Sequence, residues 1–135
     1  MKIVANCLVK NEENFIWYAI NSAIEVCDEI IVWDQGSTDN TVPIIKSIEN
    51  KKIKFRQVLG DVSLARQKML EETQADWIFI LDGDEIWHDD TIKNLRFSID
   101  SMSSKIDVIT VPNYMLIGDI FHWQEEAAGK YRSFN

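Results

Sequence analysis

Short apolar runs alternate with longer amphipathic segments along this chain. Residues 3–9 are apolar at nearly every position, which is typical of a strand that helices cover on both faces. Residues 12–27 instead repeat their apolar side chains at helical spacing, so that these side chains form one stripe. Because predicted strands and helices follow each other in turn, the sequence indicates an α/β fold with a mostly parallel sheet.

Further strands and helices continue this alternation. We predict strands at residues 29–33, 53–58, 77–81 and 108–111, and helices at residues 62–73 and 90–102. A helix capped by one of residues 38–40 follows the second strand, because Pro43 lacks an amide hydrogen and fits only a first helical turn. The strand at 53–58 is flanked by lysines and is predicted near an edge, whereas the very apolar 77–81 is predicted at the centre of the sheet.

The chain is acidic, since 22 Asp and Glu residues outnumber 14 Lys and Arg and give a formal net charge of -8. Hydrophobic residues make up 46% of its 135 residues, which is enough for the core of one compact domain. The negative charge argues against direct binding to a nucleic-acid backbone, which requires clustered lysine and arginine. If the protein handles phosphates, we therefore expect a divalent cation to mediate the contact.

No apolar run approaches the roughly 20 residues that cross a bilayer, and the first residues do not form a secretory signal. We therefore expect a cytosolic protein. Its cysteines, Cys7 and Cys27, show no metal-binding spacing and are expected to be small buried side chains.

Polar side chains follow three of the predicted strands directly. Residues 10–13, with Glu12 among them, follow the first strand, Asp34 follows the second, and Asp82 and Asp84 follow the fourth. In an open α/β sheet, ligands bind outside the carboxyl ends of the strands. Each acidic residue alone could belong to a turn or a helix cap as readily as to a binding site. Their convergence favours a binding site.

The sequence Asp82-Gly83-Asp84 carries the most chemical information. It places two carboxylates, separated by one small residue, just past a strongly apolar strand. Carboxylate oxygens are the ligands that Mg²⁺ and Mn²⁺ prefer, and a pair leaves coordination positions for water and substrate phosphates. The alternative is a structural turn that opens the next helix.

Arg66 lies on the predicted helix 62–73. Its guanidinium could contact a nucleotide phosphate or the edge of a base, because it presents planar, charged donors. The alternative is a solvated position on the helix surface. Position along the chain does not decide between the two.

Four motifs together resemble family 2 glycosyltransferases with the GT-A fold. They are VKNEE at 9–13, DQGSTDNT at 34–41, LARQ at 64–67 and LDGDE at 81–85. The resemblance covers residues 1–112, and it is strongest to a bacterial branch that opens with Lys-Asn-Glu-Glu and builds surface glycans. It implies a Rossmann-like sheet with flanking helices, a nucleotide-sugar-binding core at 1–112, and the start of a shortened acceptor-side region at 113–135.

The resemblance also implies roles for particular residues. Asp34 would accept a hydrogen bond from the nucleotide base, and Glu12 would line the same pocket. Arg66 would reach the base or the diphosphate. Asp82 would contact the ribose or assist the metal, and Asp84 would bind the Mn²⁺ or Mg²⁺ ion that bridges the diphosphate.

The implied reaction is transfer of a sugar from a nucleotide-diphosphate donor, a UDP-sugar first, to an acceptor hydroxyl. The acceptor would be a glycan or a lipid-linked molecule, reached from the cytosol or from the inner face of the membrane. An inverting enzyme needs a general base, for which Asp119, Glu125 and Glu126 are the candidates, with the two glutamates ahead.

Two other functions remain open at this point. Enzymes of this family generally continue well beyond residue 135, so a module that binds a nucleotide sugar without turnover fits as well. A Mg²⁺-dependent phosphatase could use Asp82 as nucleophile and Asp84 as acid and base. Such phosphatases carry the paired aspartates after their first strand, whereas here the pair follows the fourth and precedes Glu85.

Overall fold

The structure, a computed structural model, describes residues 1–102, 106–114, 116–117 and 119–123. Two compact units, Met1–Met102 and Ser103–Asn135, divide the chain. The first unit contains β1 (Ile3–Val9), α1 (Ile16–Ala23), β2 (Glu29–Asp34), α2 (Thr41–Ser47), β3 (Ile53–Gln57), α3 (Val62–Glu72), β4 (Trp77–Ile80) and α4 (Asp89–Ser101). The second contains β5 (Leu116–Ile117) and β6 (Asp119–Trp123), which pair in antiparallel orientation.

The first unit is built on a parallel four-stranded sheet in the order β3-β2-β1-β4. Every residue of β1 is buried, as expected for an inner strand covered by helices. The predicted α/β fold with a mostly parallel sheet is therefore confirmed. Strand β3 lies at an edge, as its flanking lysines indicated.

Strand β4 does not lie at the centre of the described sheet, so that prediction was wrong. It pairs with β1 alone among the described strands, and the Ile80 side chain is 65% exposed. The inner strands are β1 and β2. An apolar run shows that a strand can be buried, but its neighbours in the sheet are decided by pairing over long sequence distances, which composition does not encode.

The predicted strand at 108–111 was also wrong. These residues form no strand, and Val108 is 73% exposed. Strands follow later along the chain instead, in β5 and β6. A short β-branched run has strand propensity, but propensity alone is outweighed when no neighbouring strand pairs with it.

Helix α1 is shorter than the predicted span of 12–27. It begins at Ile16, because the chain leaves β1 through a turn at Asn11, whose φ is 57°. The Phe15 and Ile16 amides then both donate to the Glu12 carbonyl, at 3.1 and 2.9 Å. Ala19, Ile20 and Ala23 of the predicted stripe are fully buried in α1, but Phe15, which was predicted with them, is 47% exposed and Ile16 is buried instead.

Helix α3 covers the sheet on β1 and β2. Ala65 and Met69 of α3 form a buried apolar cluster with Leu8 of β1 and Trp33 of β2. Helix α1 packs against α2 and α4. Within the described residues, no helix combines the length and the apolar character that a membrane span requires.

Arg96 ties α4 to the amino ends of the strands. Its guanidinium donates to the Val26 carbonyl at 3.0 Å, to Asp28 Oδ2 at 3.1 Å and to the Met1 carbonyl at 3.2 Å. Asp28 Oδ2 also accepts from the Ile3 amide at 2.8 Å. The Ile3 amide foremost, and then Arg96, hold the pKa of Asp28 below its usual value, although burial opposes them.

We expect Arg96→Met to lower the free energy of unfolding by about 1 kcal/mol at pH 7, since these hydrogen bonds are only partly buried. Asp28 has a lowered pKa in the folded state, so its contribution is present above its unfolded pKa and is lost as the pH falls through the folded pKa. The difference in the free energy of unfolding between wild type and variant, measured by urea denaturation, should therefore decrease as the pH falls. A difference that does not depend on pH would contradict this account.

Candidate functional site

The carboxyl ends of β1, β2 and β4 meet at one edge of the sheet. Val9, the last residue of β1, pairs with Asp34, the last residue of β2. The Leu81 amide, just after β4, donates to the Asn6 carbonyl of β1 at 3.1 Å. Three loops therefore leave the sheet side by side: the first loop (residues 10–15), the second loop (35–40) and the third loop (81–88).

Asp34 is fully buried beneath the second loop. Its carboxylate accepts from the Gly36 amide at 3.1 Å and from the Ser37 amide at 3.2 Å, and it also accepts from the Ser37 hydroxyl. Gln57 Nε2 donates to Asp34 Oδ2 at 3.2 Å. The Asp34 carboxylate thus holds the second loop in place through hydrogen bonds. Its contact with a nucleotide base stays a prediction.

Asn11 joins the first loop to the second loop. The Asn11 amide donates to Ser37 Oγ at 2.9 Å, and the Thr38 amide donates to Asn11 Oδ1 at 2.8 Å. The left-handed backbone of Asn11 makes this possible, because asparagine tolerates positive φ better than most residues. Asn11 therefore has both its backbone and its side chain in the contact between the loops.

Glu13 makes a second set of bonds between these loops. Its Oε2 accepts from the Asn40 amide at 2.9 Å and from Asn40 Nδ2 at 2.8 Å, and its own amide donates to Asp39 Oδ2 at 3.2 Å. The Glu12 amide donates to Thr41 Oγ1 at 2.7 Å. The first and second loops are therefore joined along their whole facing length.

The side chain of Glu12 lies against the third loop. A Cβ atom at position 83 would be 2.9 Å from Glu12 Cγ, so only glycine fits there without a shift. Burial foremost, and then the negative charges of Asp84, Asp39 and Asp82, raise the pKa of Glu12 above its usual value. These carboxylates therefore lie close enough to repel one another.

Arg66 of α3 reaches across to the third loop. Its guanidinium lies 3.0 Å from Asp82 Oδ1, and both side chains are 47% exposed. Arg66 is thus part of the cluster at the strand ends and is not a solvated residue apart from it. An exposed ion pair of this kind contributes little to stability, so it can open without much cost.

The third loop also contains Glu85, which closes a turn. Its amide donates to the Asp82 carbonyl at 3.1 Å. Burial foremost raises the pKa of Glu85, and the charges of Asp82 and Asp84 add to that effect, while a hydrogen bond from the Asp82 backbone opposes it. Negative charge in this loop is therefore only partly compensated.

Neither Asp82 nor Asp84 caps the helix that follows. The N-cap of α4 is His88, whose Nδ1 accepts from the Asp90 amide at 3.3 Å. The structural alternative for the two aspartates, a turn that caps the next helix, is therefore not what the structure shows. Asp82 Oδ1 is paired with Arg66, and the charges of both aspartates act on Glu12, so the third loop carries carboxylates of the kind that a hard divalent cation binds.

The described residues contain no group of three or more His, Cys, Asp or Glu side chains arranged to hold a metal ion. A cation on Asp82 and Asp84 would accordingly need further ligands from water and from a bound phosphate. Mg²⁺ commonly combines one or two carboxylates with substrate phosphates, and a cation on these two aspartates stays a prediction.

The described residues include one of the three candidates for the general base. Asp119 is the first residue of β6, in the second unit, and Glu125 and Glu126 lie outside the described residues. Conversely, sequence reasoning missed Asn11 and Glu13. The only local signal was the polar side chains of the second loop, which suit hydrogen bonds to backbone amides.

Comparisons with known proteins agree on one family. The family model described as Glycosyl transferase family 2 matches residues 8–134. The SPbeta prophage-derived glycosyltransferase SunS of Bacillus subtilis (strain 168) is 37% identical over 86 residues, which cover 63% of this chain and 20% of the relative. An uncharacterized glycosyltransferase of Rickettsia bellii (strain RML369-C) is 43% identical over 86 residues, which cover 62% of this chain and 28% of the relative.

Solved structures with the same fold include glucosyl-3-phosphoglycerate synthase from Mycobacterium tuberculosis. Its complex with Mn²⁺ and UDP-glucose matches with a TM-score of 0.52 and 26% identity, over 63% of this chain and 34% of that chain. Its complex with Mn²⁺, UDP and phosphoglyceric acid gives the same values. The present chain therefore spans about a third or less of the length of these relatives.

Proposed function

The chain belongs to glycosyl transferase family 2, and we propose that it binds a nucleotide-diphosphate sugar where β1, β2 and β4 end and transfers the sugar to an acceptor hydroxyl. Its parallel sheet with flanking helices is the fold of GT-A glycosyltransferases. The observation that carries the proposal is the convergence of Glu12, Asp82 and Asp84 around Gly83. Membership of a transferase family argues against the phosphatase.

Asp84 and Asp82 would hold a Mn²⁺ or Mg²⁺ ion, as the sequence predicts. Asp84 is exposed and its charge raises the pKa of Glu12, so its carboxylate is available to a ligand that brings positive charge. The bound cation would neutralise negative charge that develops on the departing diphosphate. Support comes from the similar synthase of M. tuberculosis, which was crystallised with Mn²⁺ and UDP-glucose.

Arg66 would contact the diphosphate or the base. Its half-exposed guanidinium already lies at the strand ends, where it pairs with Asp82. A diphosphate that entered the site would offer Arg66 a stronger anionic partner, because guanidinium binds phosphate oxygens in a planar, two-pronged geometry. Asp82 would then be free to assist the cation or to contact the ribose.

Glu12 and Asp34 would complete the donor pocket. Glu12 lines it from the side of β1, while Asp34 fixes the second loop on which the base would rest and is predicted to accept a hydrogen bond from the base. Residues 1–112 would form this donor-binding part and residues 113–135 the beginning of the acceptor side. The base that deprotonates the acceptor stays a prediction among Asp119, Glu125 and Glu126, and so does a location in the cytosol or at the inner membrane face.

Calorimetry on the chain with UDP, GDP and dTDP, each with and without Mn²⁺, tests the proposal. We expect UDP to bind at least about 10-fold more tightly with Mn²⁺ than without it, because two carboxylates close to a diphosphate would otherwise repel it. Hydrolysis of UDP-glucose would then separate a domain that turns over its donor from a passive binder. Binding of none of the three nucleotides, or binding that ignores the cation, would contradict the proposal.

A further inference from the structure

The side chains of Asn11, Glu12 and Glu13, which follow β1, point in two directions. The side chains of Asn11 and Glu13 both bind the second loop, through Thr38 and Asn40. The side chain between them, Glu12, lies instead against Gly83 of the third loop. One short segment therefore touches both of its neighbours at the carboxyl edge of the sheet.

The backbone of Asn11 produces this division. A residue with φ of 57° reverses the local direction of the chain, and only glycine, asparagine and aspartate adopt such values readily. The Asn11 side chain also accepts from the Thr38 amide, which holds that conformation in place. The direction in which Glu12 leaves the backbone thus depends on bonds made by its two neighbours.

We propose that Asn11 and Glu13 are positioning residues that hold the side chain of Glu12 against the third loop. They would act through Glu12 and would not touch the donor themselves. The role of the Glu12 side chain rests on the proposed function, but the placement of that side chain does not. The hydrogen bonds involved are mostly exposed, so their loss should affect the geometry of the loops more than global stability.

A pair of introduced cysteines can measure this placement without any nucleotide. In Glu12→Cys/Gly83→Cys the two Cβ atoms would start 3.3 Å apart, close to the roughly 3.5–4.5 Å that a disulfide requires. Gly83 has no positive φ, so a side chain there brings no backbone strain. The natural Cys7 and Cys27 should not compete, because burial foremost raises the pKa of each thiol to about 12.

The rate of cross-linking by oxidised glutathione, followed by mass spectrometry, is the readout. We expect Asn11→Gly in this background to slow the reaction at least about 5-fold, since glycine keeps the backbone conformation but loses the bond to Thr38. Asn11→Asp should stay within about 2-fold of the parent, because it keeps an acceptor oxygen and also tolerates positive φ. Glu13→Ala should slow the cross-linking to a similar extent as Asn11→Gly.

Arg96→Met in the same background is the matched control. It loosens the opposite end of the sheet and should leave the rate unchanged, so a general loss of stability is separated from a loss of placement. The proposal would be overturned if the parent with Asn11 and its Asn11→Gly variant cross-linked at equal rates, or if the parent formed no cross-link. Calorimetry adds the link to function: Asn11→Gly should weaken UDP binding with Mn²⁺ about 10-fold. Absence of UDP binding by the unaltered chain would count against the proposed function alone.

Discussion

Asp84→Asn is expected to weaken Mn²⁺-dependent binding of UDP at least about 100-fold, because loss of a residue that only supports a metal ligand already costs about 10- to 100-fold. The asparagine keeps the size of the side chain and one oxygen but loses the charge that a hard cation requires. Asp84 is exposed, so the fold should be unaffected. Calorimetry with UDP and Mn²⁺, together with thermal unfolding, measures both quantities.

Asp89→Asn provides the matched control for this change. Asp89 is also exposed and lies in the first turn of α4, only a few residues further along and just after the N-cap His88 that ends the third loop. The two substitutions remove the same charge from the same region. If Asp89→Asn weakened UDP binding as much as Asp84→Asn, the effect would be one of net charge and not of a cation site.

The removal of one carboxylate should also be visible at its neighbours. Asp84 contributes to the raised pKa of Glu12 and of Glu85, although burial is the foremost cause for both. In Asp84→Asn the pKa of each glutamate should therefore fall toward its usual value. A cation bound by the unaltered chain should shift these values in the same direction.

The sequence predicted the elements at this edge of the sheet because their signals are local. The strand at 3–9 was predicted with the bounds that β1 has, since an inner parallel strand is apolar throughout. Pro43 marked the first turn of α2, which begins at Thr41. Once the strands are parallel, their carboxyl ends must share an edge, so Asp34 and Asp82 were expected at the same edge of the sheet.

The contacts within the site could not be predicted in the same way. The bonds from Asn11 and Glu13 to the second loop join residues about 27 positions apart, and no local pattern encodes them. The Arg66–Asp82 pair depends on how α3 lies over the sheet. The neighbours of β4 were mispredicted for the same reason, because strand order is a property of the whole chain.

Asp34 has a structural role that the sequence did not predict. Its place at the end of β2 was predicted, and the resemblance implied a hydrogen bond to the nucleotide base, which stays a prediction. The structure uses the oxygens of Asp34 for Gly36, Ser37 and Gln57. A buried carboxylate must satisfy its hydrogen-bonding capacity, and the donors nearest to it are those of its own loop.

This role leads to the largest expected effect on stability. Asp34→Ala should lower the free energy of unfolding by about 3 kcal/mol, because it removes the fully buried carboxylate that accepts from the Gly36 amide, the Ser37 amide and Gln57 Nε2. Chemical denaturation measures the loss. Asp34→Asn should fall between wild type and alanine, since its amide can replace only one of the two acceptor oxygens.

Asp61→Ala is the control for the loss of stability expected from Asp34→Ala. Asp61 is an exposed N-cap of α3 with a single bond, 2.9 Å from the Leu64 amide, and its loss should cost about 1 kcal/mol. If Asp34→Ala cost no more than Asp61→Ala, the carboxylate would not be what holds the second loop. A cost about three times as large would mean that the second loop, on which we propose that the base rests, depends on the Asp34 carboxylate for its stability.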